Sequence, residues 1–356
     1  MKINGIEIAN DCSHFKGDMP CEFHKAKGML CKCDHYKQIR VRIVIVKLGA
    51  IGDVIRTTVI LNKIKKTYPN SEITWVSRYP DLIPKLVDFS LGLGLEDILF
   101  LLSEEFDILY NFDKEKTACA LANLIKAKKK KGFFLKRGKC FPIDKDANHK
   151  FVTGLNDNIC KANAKSYPEE IFEIIGEKFS GEKYIIDKVK ERIKQDNLAR
   201  PLVGLNTGCG ERWKTRTWPQ ERWIDLAIRL REKGFGVLLL GGEIEHENNL
   251  KIKELSGAEY LGYFSLKDFT ALINTCDLVV TTVTLALHIA VALEKKIILL
   301  NNIFNKNEFE LYGRGVIIEP TLDCLACYKV ECDKQCMELI SAEKVYEKVA
   351  CLLKKS

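Results

Sequence analysis

At 356 residues the chain is long enough for two cored domains, and its 46% hydrophobic and 29% charged residues are ordinary for a globular protein. No apolar run approaches bilayer-spanning length, and residues 1–10 alternate polar and apolar side chains, so neither a spanning helix nor a secretory leader is expected; the reading is a cytoplasmic protein able to lie on the inner membrane face. A net charge of +8 favours phosphate-bearing partners, and fourteen cysteines in a cytosolic setting argue for metal ligation rather than disulfides.

In chain order, residues 1–38 come first, carrying Cys12, Cys21, Cys31 and Cys33 with His14, His24 and His35 interleaved. So short a segment with so little apolar content needs an ion to fold, so metal binding is expected; the one-residue gap between Cys31 and Cys33 is tight for zinc and leaves room for a histidine in place of either. The β-branched run at 41–47 predicts a buried strand. A loop containing Gly49 and Gly52 follows, then a helix over 53–68 stopped by Pro69. Strands are predicted at 73–77, 107–110 and 131–134, with a helix over 114–126. Lys126, Lys128 to Lys131, Lys136, Arg137 and Lys139 form a basic stretch interrupted by Phe133 and Phe134; it reads either as a phosphate-attracting patch or as the solvated end of a strand.

A charged linker is expected at 180–200, after which the pattern restarts. Strands are predicted at 202–206, 237–240, 277–280 and 296–300, alternating with helices at 219–233, 243–255 and 284–293. Ser265 and Asp268 resemble a capping box that opens a further helix. Cys324, Cys327, Cys332 and Cys336 lie close enough in a loop at 324–336 to wrap one zinc or iron ion, a structural rather than a catalytic site. A final helix covers 341–354. Alternating strands and helices predict an α/β fold of two Rossmann-like, doubly wound domains (39–185 and 200–340) facing across a cleft, with the Cys-rich segment 1–38 in front and 341–356 behind.

Three places carry chemistry. Asp53, after the Gly49–Gly52 loop, is either a general base or a carboxylate that caps its helix. Asn206, Thr207 and Gly208 after one strand, with Lys214, Arg216 and a helix start, gather donors and cations suited to a diphosphate. Thr281, Thr282 and Thr284 offer a second helix N-terminus. Glu243 is placed either to bond a ribose or to favour a first helical turn, and His288 to face either a cleft or the core.

The blocks at 47–58, 204–223, 239–243 and 276–300 resemble glycosyltransferase family 9, which includes ADP-heptose:lipopolysaccharide heptosyltransferases of the GT-B arrangement. The resemblance spans about residues 40–350. It implies that Asp53 is the base, that Asn206, Thr207, Gly208 and Arg216 (where lysine is usual) bind donor phosphate, assisted by Lys214, and that Glu243 contacts the ribose. The family's Asp-Thr-Gly-x-x-His segment aligns with Val283, Thr284, Leu285 and His288, so its acidic residue and glycine are replaced, with Thr281, Thr282 and Thr284 in a position to compensate. An inverting transfer without a catalytic metal is implied, from a nucleotide-sugar donor (ADP-linked heptose) to an anionic lipopolysaccharide-type, other glycan or protein acceptor. The competing readings are a metal-knuckle nucleic-acid-binding protein, supported by the basic and Cys/His clusters, and a non-catalytic nucleotide-sugar-binding relative, motivated by Val283.

Overall fold

The computed structural model describes residues 1–187, 198–210 and 213–353; residues 188–197 of the expected linker lie outside the described residues. The chain forms two compact units. The first comprises Met1–Gly49, Val59–Asn148 and Glu173–Glu177, and the second Ala50–Thr58, His149–Phe172 and Lys178–Ser356.

The first unit begins with a two-strand ribbon, β1 (Lys2–Ile3) and β2 (Ile6–Glu7), and a short helix α1 (Glu22–Lys27). Strand β3 (Val41–Val46) is the expected β-branched run, and Ile43 to Val46 are fully buried. Helix α2 (Ile51–Thr57) follows it in the chain but packs within the second unit. Then come α3 (Leu61–Thr67), β4 (Ser71–Val76), β5 (Phe89–Leu91), α4 (Leu95–Ser103), β6 (Glu105–Asn111), α5 (Lys116–Leu124), β7 (Lys126–Lys136) and β8 (Lys139–Pro142). The sheet runs β5-β4-β3-β6-β7-β8, parallel except for β8. Counted from β3, this is the doubly wound order of dinucleotide-binding folds. Val44, Val46 and Leu109 pack under Leu121 and Ala122 of α5.

The helix expected over 53–68 is interrupted. A 3-10 turn at Thr58–Ile60 separates α2 from α3. The Thr57 and Thr58 hydroxyls donate back to the carbonyls of Asp53 and Ile55, each at 2.6 Å, a local bond that bends helices. Thr57 also meets the Tyr167 hydroxyl at 2.8 Å, and Thr58 accepts from the Ile185 amide at 2.8 Å.

The basic stretch begins as part of β7, which extends the strand expected at 131–134 back to Lys126. Lys128 pairs across the sheet with Asp107 at 2.8 Å, and Lys131 is buried against Asp144 and Asp146. Lys128 is thus a cross-strand partner, and Lys131 is matched by acids beyond β8; matched lysines hide the first half of the strand from a hydropathy reading. Lys136, Arg137 and Lys139 differ: they are exposed at the β7–β8 turn, where Arg137 and Gly138 both have positive φ (49° and 73°), as a tight primed hairpin requires.

The second unit contains α6 (Asn148–Thr153) from its second residue on, α7 (Asp157–Ala162) and most of α8 (Tyr167–Ile175), followed by β9 (Leu202–Asn206), α9 (Gln220–Glu232), β10 (Gly236–Leu240), α10 (His246–Ser256), α11 (Leu266–Thr275), β11 (Leu278–Thr282), α12 (Leu285–Ala292), β12 (Lys296–Leu300), β13 (Gly315–Ile318) and α13 (Ala342–Leu353). Its all-parallel sheet runs β10-β9-β11-β12-β13. Successive connections leave β9 in opposite directions, so the topological switch point lies between β9 and β11. Trp218 and Trp223 meet edge to face at 4.7 Å in the core beneath α9, alongside Val345 and Val349 of α13. Among the described residues no helix is long and apolar enough to cross a membrane.

Candidate active site

The carboxyl ends of β9 and β11 are sewn together by one side chain. Asn206 Nδ2 donates to the Gly208 carbonyl (3.2 Å) and to the hydroxyls of Thr281 (3.2 Å) and Thr284 (3.3 Å). Thr284 is the N-cap of α12, yet no side chain caps the helix. The first-turn amides of α12 therefore keep their capacity to bond an anion, and the helix dipole adds to it.

Across a cavity of about 670 Å³ from this turn stands α2, all of it within the second unit. Its polar lining includes Asp53, Arg56, Asn206, Arg216, Glu245, Thr284, His288 and Glu308, and its aromatic walls include Trp213, Phe264, Phe269, Phe304 and Phe309. A volume of this size with a few convergent polar groups suits a nucleotide-sized ligand. The cavity sits at the switch point, where open α/β sheets bind ligands.

Helix α2 reaches α12 because Gly52 has no side chain. A β-carbon there would lie 2.4 Å from His288 Cδ2. His288 is 7% exposed, and burial, seconded by the charges of Arg56 and Arg216 against the opposing pull of Asp53, lowers its pKa to about 3. It is a neutral imidazole at physiological pH. Next to Gly52 on α2, Asp53 is held by Arg56 one turn on, Nη2 to Oδ1 at 2.8 Å. Arg56 lies 3.5 Å over the Tyr167 ring, and Glu308 approaches its guanidinium at 4.0 Å. Burial opposes the charge of Arg56, but Asp53, Tyr167 and Glu308 outweigh it and raise its pKa above the ordinary arginine value.

Arg216 braces the far wall. Its Nη1 donates to the Val283 carbonyl, its Nη2 to the Cys209 carbonyl, and its Nε to the Trp213 carbonyl at 3.4 Å. Burial lowers its pKa from the usual arginine value. Three of its roughly five N–H donors are so used, which leaves the rest for a ligand in the cavity it lines. Glu245 Oε2 accepts from the Gly242 amide at 2.9 Å, and its carboxylate closes over Gly208, where a β-carbon would lie 2.3 Å from it.

Of the expected residues, Gly52, Asp53, Asn206, Gly208, Arg216, Thr284 and His288 line this one cavity, whereas Gly49, Thr207, Lys214, Glu243 and Thr282 do not. Thr207 is turned to Asn249 Oδ1 at 2.5 Å and Thr282 to the Gly208 carbonyl at 3.4 Å. Glu243 is exposed, and Glu245, two residues on in the same 3-10 turn, occupies the cavity wall instead. Arg56, Glu245 and Glu308 were missed by sequence reasoning; only the Asp53–Arg56 spacing of three residues in an apolar helix signals such a pair.

Among the described residues, no three His, Cys, Asp or Glu side chains are placed to hold one metal ion. At the C-terminal loop the thiols are not drawn together. Cys336 Sγ accepts from Asn302 Nδ2 at 3.0 Å, and the loop is tethered by main-chain bonds from Ala326 to Asn302 and from Tyr328 to Ile303. As placed, Cys324, Cys327, Cys332 and Cys336 do not fit one ion.

The model of glycosyltransferase family 9 (heptosyltransferase) matches residues 100–338. This chain belongs to glycosyltransferase family 9. Within the family it is similar to lipopolysaccharide heptosyltransferase 2 of Salmonella typhimurium, 29% identical over 108 residues, a match spanning 28% of this chain and only 31% of that relative's length. Among solved structures, the ADP-heptose lipopolysaccharide heptosyltransferase II of E. coli superposes with a TM-score of 0.64 at 16% identity, covering 88% of this chain and 99% of that one. The iron-containing dodecameric glycosyltransferase TibC of enterotoxigenic E. coli has a TM-score of 0.58 at 13% identity, covering 89% of this chain and 79% of that one. At those identities the likeness speaks for the fold.

Proposed function

We propose that this family 9 protein is an inverting glycosyltransferase whose nucleotide-sugar donor binds at the β9–β11 switch point. The observation that carries the reading is that an uncapped helix N-terminus, a buried arginine and an ion-paired aspartate line one nucleotide-sized cavity. The diphosphate lies against the first turn of α12 and the spare N–H groups of Arg216. The aromatic and apolar wall formed by Phe264, Leu266 and Phe269 takes the base, and Glu245 accepts from a ribose hydroxyl. Asp53 takes the proton of the acceptor hydroxyl as its oxygen forms the new bond to the anomeric carbon; the bond from that carbon to the phosphate oxygen breaks, and the nucleoside diphosphate leaves on the same electrostatic cradle. Arg56 orients Asp53, and neutral His288 packs beside Gly52 rather than titrating.

The family description and the E. coli relative's ADP-heptose donor support an ADP-linked heptose as the sugar source, with a lipopolysaccharide-type acceptor or another glycan or protein hydroxyl. The exposed cations of the β7–β8 turn support contact with an anionic lipid surface on the cytoplasmic side. In this reading the first turn of α12 and Arg216 meet the leaving charge without a catalytic metal.

Calorimetry with ADP, GDP, UDP and dTDP tests the donor site. Selective binding of ADP, weakened in Arg216→Gln, is expected. Equal indifference to all four nucleotides overturns the reading.

A further inference from the structure

Residues 1–38 hold a conformation that their packing does not account for. Ala9 is the sole buried residue among them, α1 buries none, and each strand of the ribbon is two residues long. Ordering a backbone costs about 1–2 kcal/mol per residue, which is normally offset by burying apolar surface. That offset is missing here. Yet all four cysteines and all three histidines of the segment line a single cavity of about 360 Å³.

The imidazoles are not equivalent. His35 stacks on Phe23 at 3.9 Å, and His14 meets the edge of the same ring at 4.8 Å while its Nδ1 faces Glu22 at 3.5 Å. His24 is set up differently. Its Nδ1 lies 3.0 Å from the Met29 carbonyl. A carbonyl only accepts, so that nitrogen carries the proton, and Nε2 is left with a lone pair, the arrangement that orients ligating histidines. Cys21 is the N-cap of α1 and His24 stands three residues on, so the thiol and the imidazole share one helix face. Between Cys31 and Cys33, Lys32 adopts φ +64°, which turns the chain sharply between the two thiols.

We infer that residues 1–38 form a metal-dependent module in which a thiophilic metal centre has four protein donors: Cys12, Cys21, one of the Cys31/Cys33 pair, and His24 as the nitrogen donor in place of the other. As the side chains stand, the cavity keeps them too far apart for three to meet at one ion; binding draws them inward and replaces the missing core. The centre's inferred role is to order the segment, in place of the apolar core that the segment lacks.

The test uses the full chain, reduced and stripped with chelator, titrated with Co²⁺ in one arm and reconstituted with Fe²⁺ and sulfide in the other. Thiolate-to-cobalt absorption identifies a single-ion site, and cluster absorption an iron–sulfur one. Either centre should form in Cys324→Ser/Cys327→Ser, be lost by about one per chain in Cys31→Ser/Cys33→Ser, weaken in His24→Ala and recover in His24→Cys. Limited proteolysis within residues 1–38 should be slow with metal and fast without, while the main thermal transition stays unchanged, which separates loss of the centre from failure to fold. The inference is overturned if metal content and cleavage are the same in the parent, His24→Ala and Cys31→Ser/Cys33→Ser, or if thiol counting on unreduced protein finds the four cysteines in disulfides.

Discussion

Replacing Gly52 by alanine perturbs one defined contact. The new carbon would lie 2.4 Å from His288 Cδ2 and 3.1 Å from Nε2, against an ordinary contact of 3.4–4 Å. The ring must retreat by about 1 Å into a buried wall, or α2 must lift from α12. Overpacking of this kind costs about 1–3 kcal/mol. Alanine returns up to about 1 kcal/mol through helix propensity. The net expectation is a loss of about 1–2 kcal/mol, or about 2–8 °C in the melting temperature of a unit this size. Circular dichroism melts of the parent, Gly52→Ala, His288→Ala and the double variant measure it. Removing the imidazole removes the clash, so the double variant should be more stable than the sum of the single effects by about 1 kcal/mol or more. If Gly52→Ala melts with the parent, or the two substitutions simply add, α2 and α12 are not locked at this contact and the reasoning fails.

His288 also sets a pH dependence. Its folded pKa of about 3 lies below the unfolded value near 6.5, so the unfolded state binds the proton first; the stability that neutral His288 contributes is full above about pH 6.5 and is lost as pH falls toward 3. Urea titrations from pH 7 to 4 should show a shallower decline in His288→Gln than in the parent. Asp53→Asn should lower turnover about 10²–10⁴-fold while ADP affinity, read by calorimetry, stays within about threefold. Arg216→Gln should weaken ADP binding by about 2 kcal/mol, the worth of a charge-assisted hydrogen bond, and a smaller loss would place the diphosphate elsewhere. Substituting Lys136, Arg137 and Lys139 together by alanine should cost about 1 kcal/mol per cation in partitioning to phosphatidylserine vesicles, read by co-sedimentation at low and high salt.

The residues that announce themselves in sequence are those whose local chemistry matches their role. The β-branched run of β3, the apolar strand β9 and the Ser265–Asp268 cap, whose hydroxyl accepts from the Asp268 amide at 3.3 Å, all have neighbours in the chain that state their conformation. The first half of β7, ahead of the expected strand at 131–134, does not, because its lysines find acids that are distant in sequence, such as Asp107 on β6. The helix over 53–68 reads as continuous because threonine hydroxyls that bend it are indistinguishable, in sequence, from solvent-facing ones. In the candidate site, Asp53, Asn206 and Thr284 were legible from strand–loop–helix punctuation and the family blocks. Arg56 was not, since its partners Tyr167 and Glu308 come from far along the chain. Glu245 displaced Glu243 because a 3-10 turn at Glu243–Glu245 rotates the nearer carboxylate outward.

The anchorage of Arg216 bears on how this family member tolerates change. Val283 has no side-chain polar group to offer, yet the arginine still fastens to that position, through the peptide oxygen. An attachment made by main chain is indifferent to which amino acid supplies it. The hold of Arg216 on this position is thereby independent of the side chain at 283, and a substitution there reshapes the contour of the chamber beside it.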